Sequence, residues 1–175
     1  MTVVRPLDAA TAERLRDELA LLLEDAVAGG ASLGFLLPFE RAEALAYWAS
    51  VVEALRAGRR LLLVALADER VIGAVQLDLE PRANGRHRAE VMKLMVRRAH
   101  RRRGVGRSLV KKALDLALQA GRTLLLLDVR TGDPAEALYR SLGFVKFGEL
   151  PRYARSPDGG LAASSFYYLQ LHPAT

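Results

Sequence analysis

Cysteine is absent from the 175 residues, which excludes disulfides, thiolate metal sites and a cysteine nucleophile. Histidine occurs three times, as His87, His100 and His172, without the spacing of a metal-ligand set, so no metal is expected. No apolar run is long enough to cross a bilayer; the best, "LALLLEDAVAGG", is cut by Glu24 and Asp25. Charged residues from Arg5 onward leave no room for the apolar core of a secretory signal. The expectation is a cytoplasmic protein with no membrane partner. What is present is a globular balance, 51% hydrophobic and 26% charged. The length and even composition predict one domain over residues 1–175. A net charge of +6 favours an anionic partner without identifying it.

Apolar spacing predicts a mixed order of elements. "VVRPL" reads as a first strand. Asp8 caps a helix with Leu15, Leu19, Leu22 and Ala26 on one face, ended by Gly29 and Gly30. After the loop "GGASLGFLLP", Leu45, Trp48, Val52 and Leu55 trace a second helix. "RLLLVALA", "VIGAVQLDLE" and "AEVMKLMV" follow as strands, the last two joined by the hairpin loop "PRANGRHR". Leu109, Ala113 and Leu116 mark a third helix. "TLLLLDV" has the near-continuous apolarity of a strand covered on both faces. "DPAE" starts a fourth helix, with Asp133 as cap, Pro134 first and Glu136 reaching back, and Gly143 stops it. "FVKFGEL" and "SSFYYLQL" close the chain as strands. The fold class is α/β, of mixed α+β order, on one mixed sheet flanked by about four helices.

Between the "AEVMKLMV" strand and the third helix stands "RRAHRRRGVGRS", six arginines and a histidine in twelve positions. A helix start carries unpaired backbone N–H groups and partial positive charge. Gly104 and Gly106 allow the backbone to approach a ligand closely. Such a place suits a pyrophosphate, to which neighbouring arginines add bidentate contacts. The Walker pattern is missing, and Leu109 stands where a dinucleotide fingerprint needs its third glycine. A nucleic-acid module would interleave aromatics for base stacking, and the run has none; no nucleic-acid partner is expected. A merely solvated basic face explains the charge but not the glycines.

What does fit is Arg101-x-x-Gly104-x-Gly106 behind a strand ending in Val96. It resembles the acetyl-CoA pyrophosphate motif of the GNAT superfamily of N-acetyltransferases. "GDPAEALYRSLGF" is similar to a later segment of that family, with Ala135, Tyr139, Gly143 and Phe144 in the matching places. Gly132 stands where the family often has an asparagine that touches the pantetheine arm. "RTGDPAEALYRSLGF" is also similar to the tabtoxin-resistance type of acetyltransferase.

The resemblance implies a mostly antiparallel sheet splayed between its fourth and fifth strands, acetyl-CoA as co-substrate, and a primary amine of a small molecule as acceptor. A protein N-terminus or lysine is the alternative acceptor, and a non-catalytic coenzyme A binder or a nucleic-acid-binding module the alternative of another class. It implies cofactor contacts from Leu94, Met95 and Val96, from Arg101, Arg102, Arg103, Gly104, Val105, Gly106, Arg107 and Ser108, and from Ala135 and Tyr139. Homodimers, frequent in the family, are a further expectation. Tyr139 is either a core aromatic or, on the resemblance, the acid at the departing thiolate. Asp128 is an acid in an apolar strand, either paired structurally or a base whose pKa desolvation raises. Glu90 matches a family base position, or is an edge acid that Arg86, Arg88 and Lys93 hold ionised. Of the two acids, Asp128 is the favoured base. Phe35 and Trp48 are either core packing or an acceptor lid.

Overall fold

The computed structural model describes residues 2–172. Seven strands form one sheet: β1 (Val3–Leu7), β2 (Arg60–Ala67), β3 (Arg70–Leu79), β4 (Arg88–Val96), β5 (Leu124–Arg130), β6 (Val145–Arg155) and β7 (Leu161–Gln170). Their spatial order is β1-β2-β3-β4-β5-β7-β6. Among the described residues only the β4–β5 pair is parallel. The helices are α1 (Ala9–Arg14), α2 (Arg16–Ala28), α3 (Arg41–Arg56), α4 (Val105–Gln119) and α5 (Ala135–Ser141). Among the described residues no helix is long and apolar enough to cross a membrane.

Strand β2 explains the layering. Its alternation sends Leu62 and Val64 toward α2 and α3, and Leu63 and Ala65 toward α4. One core cluster holds Leu19, Leu23, Trp48 and Val52; the other holds Leu109, Val110, Leu125 and Tyr167. Trp48 and Leu109 are fully buried, and truncation to alanine costs about 3–5 kcal/mol at Trp48 and about 2–5 kcal/mol at Leu109. Trp48 is therefore core packing rather than a lid.

The predicted caps form. Asp8 accepts the Thr11 N–H at 2.6 Å, and Asp133 accepts the Ala135 N–H at 2.9 Å. Glu136 reaches back to the Gly132 N–H at 3.0 Å, so the regular helix begins at Ala135, just after Pro134. Gly143 ends α5 with φ +91°.

Three expectations need correction. The first helix bends at Leu15 into α1 and α2, which lets Ala12 and Leu19 both enter the same cluster. Strand β5 is covered on one face only: Leu125 and Leu127 are buried, while Asp128 is exposed. Strand β6 runs on to Arg155 as an exposed sheet edge, its register broken between Lys146 and Gly148 and again between Leu150 and Ala154. Such bulges discourage edge-to-edge pairing.

Candidate active site

Strands β4 and β5 pair at only three positions: Arg88 with Leu124, Ala89 with Leu125 and Glu90 with Leu126. Beyond Glu90 no strand covers that edge of β4, so its backbone polar groups face an opening. On its other edge Met92 pairs with Gln76 and Met95 with Ala74, a register shift that inserts one residue. Lys93 absorbs the shift with φ +54°, and the bulge bends β4 away from β5. Between the diverging strands lies a cavity of about 940 Å³, walled by Val91–Val96, the start of α4, Asp128–Arg130 and α5. That is the size of a site for a substantial organic ligand.

The start of α4 forms one wall. Gly104 takes φ +79° and Arg102 φ +62°, turning the chain so that the first N–H groups of α4 lack helical partners. A Cβ on Gly106 would come within 3.5 Å of Leu138 and 3.8 Å of Val96. A larger side chain there fills the space between the strand end and α5. The arginines divide into two sets. Arg97 donates to the Val71 carbonyl at 2.7 Å and pairs with Glu18 at 3.3 Å. Arg98 pairs with Asp25 at 2.9 Å, and Arg101 donates to the Val96 carbonyl at 3.1 Å. These three tie the loop to α2 and β4. Arg102 and Arg103 are exposed, and Arg107 donates to Ser141 at 2.7 Å, close to α5.

Tyr139 forms another part of the wall, its ring 5.5 Å from that of Phe144 and 6% exposed. Burial raises the phenol's pKa, and the charges of Asp133 and Asp128 add to the effect. The turn before α5 is pinned from below by Glu136. Burial alone would raise that carboxyl, but the Gly132 N–H, Tyr167, Ser165 and Arg140 hold it low. The Tyr167 hydroxyl donates to it at 3.0 Å. Gly132 has φ +85°, a conformation that asparagine also tolerates. The missing asparagine is thus compatible with this backbone, but its side-chain contact is lost.

The acids correct the sequence expectation. Asp128 is exposed and lines the cavity, because its apolar neighbours Leu125 and Leu127 point the other way. Glu90 is exposed as well, yet its surroundings partly desolvate the carboxyl, which is raised from its ordinary value by that burial and by Asp128 and Asp78, against the pull of Lys93 and Arg60. Of the cationic neighbours expected beside it, Lys93 pulls the carboxyl down, but by less than burial and the two acids raise it. Lys93 donates to the Leu33 carbonyl at 2.5 Å, with Nζ 5.6 Å from the Phe35 ring centroid and 5.9 Å from that of Tyr47. Its pKa is lowered by burial and by Arg60.

The cavity brings together Leu94, Met95, Val96, Arg101, Arg102, Gly104, Val105, Gly106, Arg107, Ala135, Tyr139 and Asp128. Arg103, at the loop tip, and Ser108, facing outward from the first turn of α4, are not in its wall, nor is Glu90. Sequence reasoning missed a polar chain beside the acids: Tyr47 donates to the Gln76 carbonyl oxygen at 3.1 Å, and Arg60 pairs with Asp78 at 2.9 Å. Strand register alone assembles it. Among the described residues no group of histidine and acidic side chains could hold a metal.

A splayed sheet with a glycine-bent loop at the start of α4 defines a class of protein. The sequence model of the acetyltransferase (GNAT) family matches residues 18–144, and the chain belongs to that family. A segment of 88 residues is 35% identical to human N-acetyltransferase 8, covering 49% of this chain and 39% of that protein. The chain spans only 17–39% of the length of the curated relatives it matches. The ribosomal-protein-alanine N-acetyltransferase of Brucella melitensis superposes with a TM-score of 0.78 at 22% identity, over 97% of this chain and 99% of that one. The protein yncA of Salmonella typhimurium, solved with its cofactor acetyl-CoA, gives 0.78 at 22% identity, over 100% and 96%.

Proposed function

We propose that the protein transfers an acetyl group from acetyl-CoA to a primary amine of a small molecule, by direct attack with both substrates bound. The observation that carries this is the three-pair splay of β4 from β5, opening onto the bent start of α4 in one cavity. Acetyl-CoA supplies a thioester open to attack by an amine. The residues suit it: the N–H groups from Val105 to Arg107 meet a diphosphate, and the room at Gly106 admits it. Arg102 and Arg103 are free to add phosphate contacts. The unpaired edge of β4 from Leu94 to Val96 offers backbone partners to the amides of the pantetheine arm.

The two acids divide the work on the amine. Asp128, in the cavity wall, holds the ammonium, and Glu90, with its raised carboxyl, takes the proton. The Tyr139 phenol stays protonated at neutral pH. Its pKa lies above that of a thiol, about 8.5, so it serves the departing sulfur as a hydrogen-bond donor. Holding both reactants in one cleft supplies much of the rate. Use of acetyl-CoA supports a cytoplasmic location, and the similarity of residues 130–144 to tabtoxin-resistance acetyltransferases supports a small acceptor. Relatives named as N-alpha-acetyltransferases and the Brucella protein favour a second reading, a protein N-terminus as acceptor. The test is thiol release from acetyl-CoA. Release that depends on an added primary amine supports the transfer; acetyl-CoA binding without amine-dependent release leaves a non-catalytic binder.

A further inference from the structure

We propose that the acceptor is a primary amine carried on a flat aromatic body, seated on the open face of β5, β7 and β6 with its ammonium at Asp128 and Glu90. This rests on the acetyl-transfer reading and names the substrate class for it.

Strand register places the parts. Glu90 lies opposite Asp78 on β3 and beside Leu126 on β5. Leu126 lies opposite Tyr168, and Asp128 opposite Phe166, on β7. Paired residues point to the same side of a sheet. The three acids and the two rings therefore share one face, which α4 and α5 do not cover. Phe147 joins them across β6, its ring 6.2 Å from Phe166 and 6.1 Å from Tyr168. Tyr153 stacks edge-on against Phe166 at 5.1 Å.

The chain has one tryptophan, five tyrosines and five phenylalanines, and four of these stand together on this face. Phe147 is 60% and Tyr153 51% exposed. Contiguous exposed rings on a soluble surface mark a binding site. The charges say what binds there. A second copy of the chain covering these rings would also bury Asp128 and Glu90, whose charges Lys93 and Arg60 only partly offset, at high cost. An ammonium removes that cost, and the rings lie one to two strand spacings, roughly 5–10 Å, from Asp128. That is the reach of a ring on a short alkyl chain. The face is also bounded: the Leu37 N–H donates to the Pro157 carbonyl at 2.9 Å, linking the α2–α3 loop to the β6–β7 turn. This bridge disfavours a long polypeptide along the strands.

The test compares kcat/KM for phenethylamine, propylamine, spermidine and a short peptide beginning with phenylalanine, with acetyl-CoA binding measured separately by calorimetry. Phenethylamine is expected to exceed propylamine and spermidine by at least about tenfold. Phe147→Ser should cut the phenethylamine-to-propylamine ratio about fivefold or more, through KM, and Phe147→Tyr should restore it. The variant's thermal midpoint shows whether it remains folded. Bound acetyl-CoA with no turnover of phenethylamine, or with equal turnover of propylamine, overturns the proposal while leaving acetyl transfer intact. A preference for the peptide overturns it in favour of a protein acceptor. A dimer lost in Phe147→Ser, with the ratio unchanged, overturns it in favour of a second copy. Failure of acetyl-CoA to bind at all overturns the acetyl-transfer reading itself.

Discussion

The two walls of the cleft are built from different parts of the chain. The donor wall is mainly backbone: a strand edge freed by divergence and a helix start bent by Gly104 at φ +79°. It rests on the core, with Leu109 fully buried in the helix behind it. The acceptor face is entirely side chain, with acids and rings from β3 to β6 meeting on the side of the sheet that α4 and α5 do not cover. A backbone wall can stay fixed while its side chains vary, whereas a side-chain face changes with each substitution. One fold can thus keep a common donor and change its acceptor.

The comparison breaks most sharply at the proton. Glu90→Gln should lower kcat by about 10³-fold and abolish the acidic limb of the pH–rate profile set by this carboxyl. Glu90 must be ionised to act, so the rate rises with pH through its raised pKa, and glutamine has no such step. Retention of the limb returns the base role to Asp128. On the donor side, Tyr139→Phe keeps the ring in its place and removes the hydroxyl. It should cost about 10²-fold in kcat, with acetyl-CoA affinity unchanged in calorimetry. Near-normal turnover makes Tyr139 a core aromatic only.

Asp128→Asn sharpens the division between the acids. It should raise KM for the amine severalfold. Removing its negative charge also lowers the Glu90 pKa, so the acidic limb moves to lower pH. A limb that stays in place shows that the two carboxylates do not communicate. The smallest effect concerns stability. Phe147→Ser should change the unfolding free energy by less than about 0.5 kcal/mol, because the ring is 60% exposed. Leu109→Ala, behind the donor wall, should cost about 2–5 kcal/mol.

These two regions were not equally legible in the sequence. The donor wall could be read because Val96, Arg101, Gly104 and Gly106 are near neighbours in the chain, and glycines at a strand-to-helix turn carry their own physical reason. Tyr139 sits in a similarly compact segment with Pro134 and Gly143. The acceptor face depends on which strands pair and in what register, so Phe147, Phe166, Asp128 and Glu90 carry no joint signal. The burial expected of Asp128 shows why. "TLLLLDVR" makes Asp128 seem desolvated, but side chains of a strand alternate between faces. Leu125 and Leu127 enter the core, while Asp128 follows Leu126 onto the open one. Apolar neighbours along a strand measure the burial of the opposite face. Nor does the arginine run reveal its partners in the sequence: Arg97 and Arg98 spend their charge on Glu18 and Asp25.

The central claim is that the bent start of α4 holds the diphosphate of acetyl-CoA. Calorimetric titration of acetyl-CoA into the wild-type protein and Gly106→Val tests it most directly, because the added side chain fills the space between Val96 and Leu138. The account predicts affinity weakened by about tenfold or more, equivalent to at least about 1.4 kcal/mol, in a variant with an unchanged thermal midpoint. Equal affinity in the two proteins would contradict it.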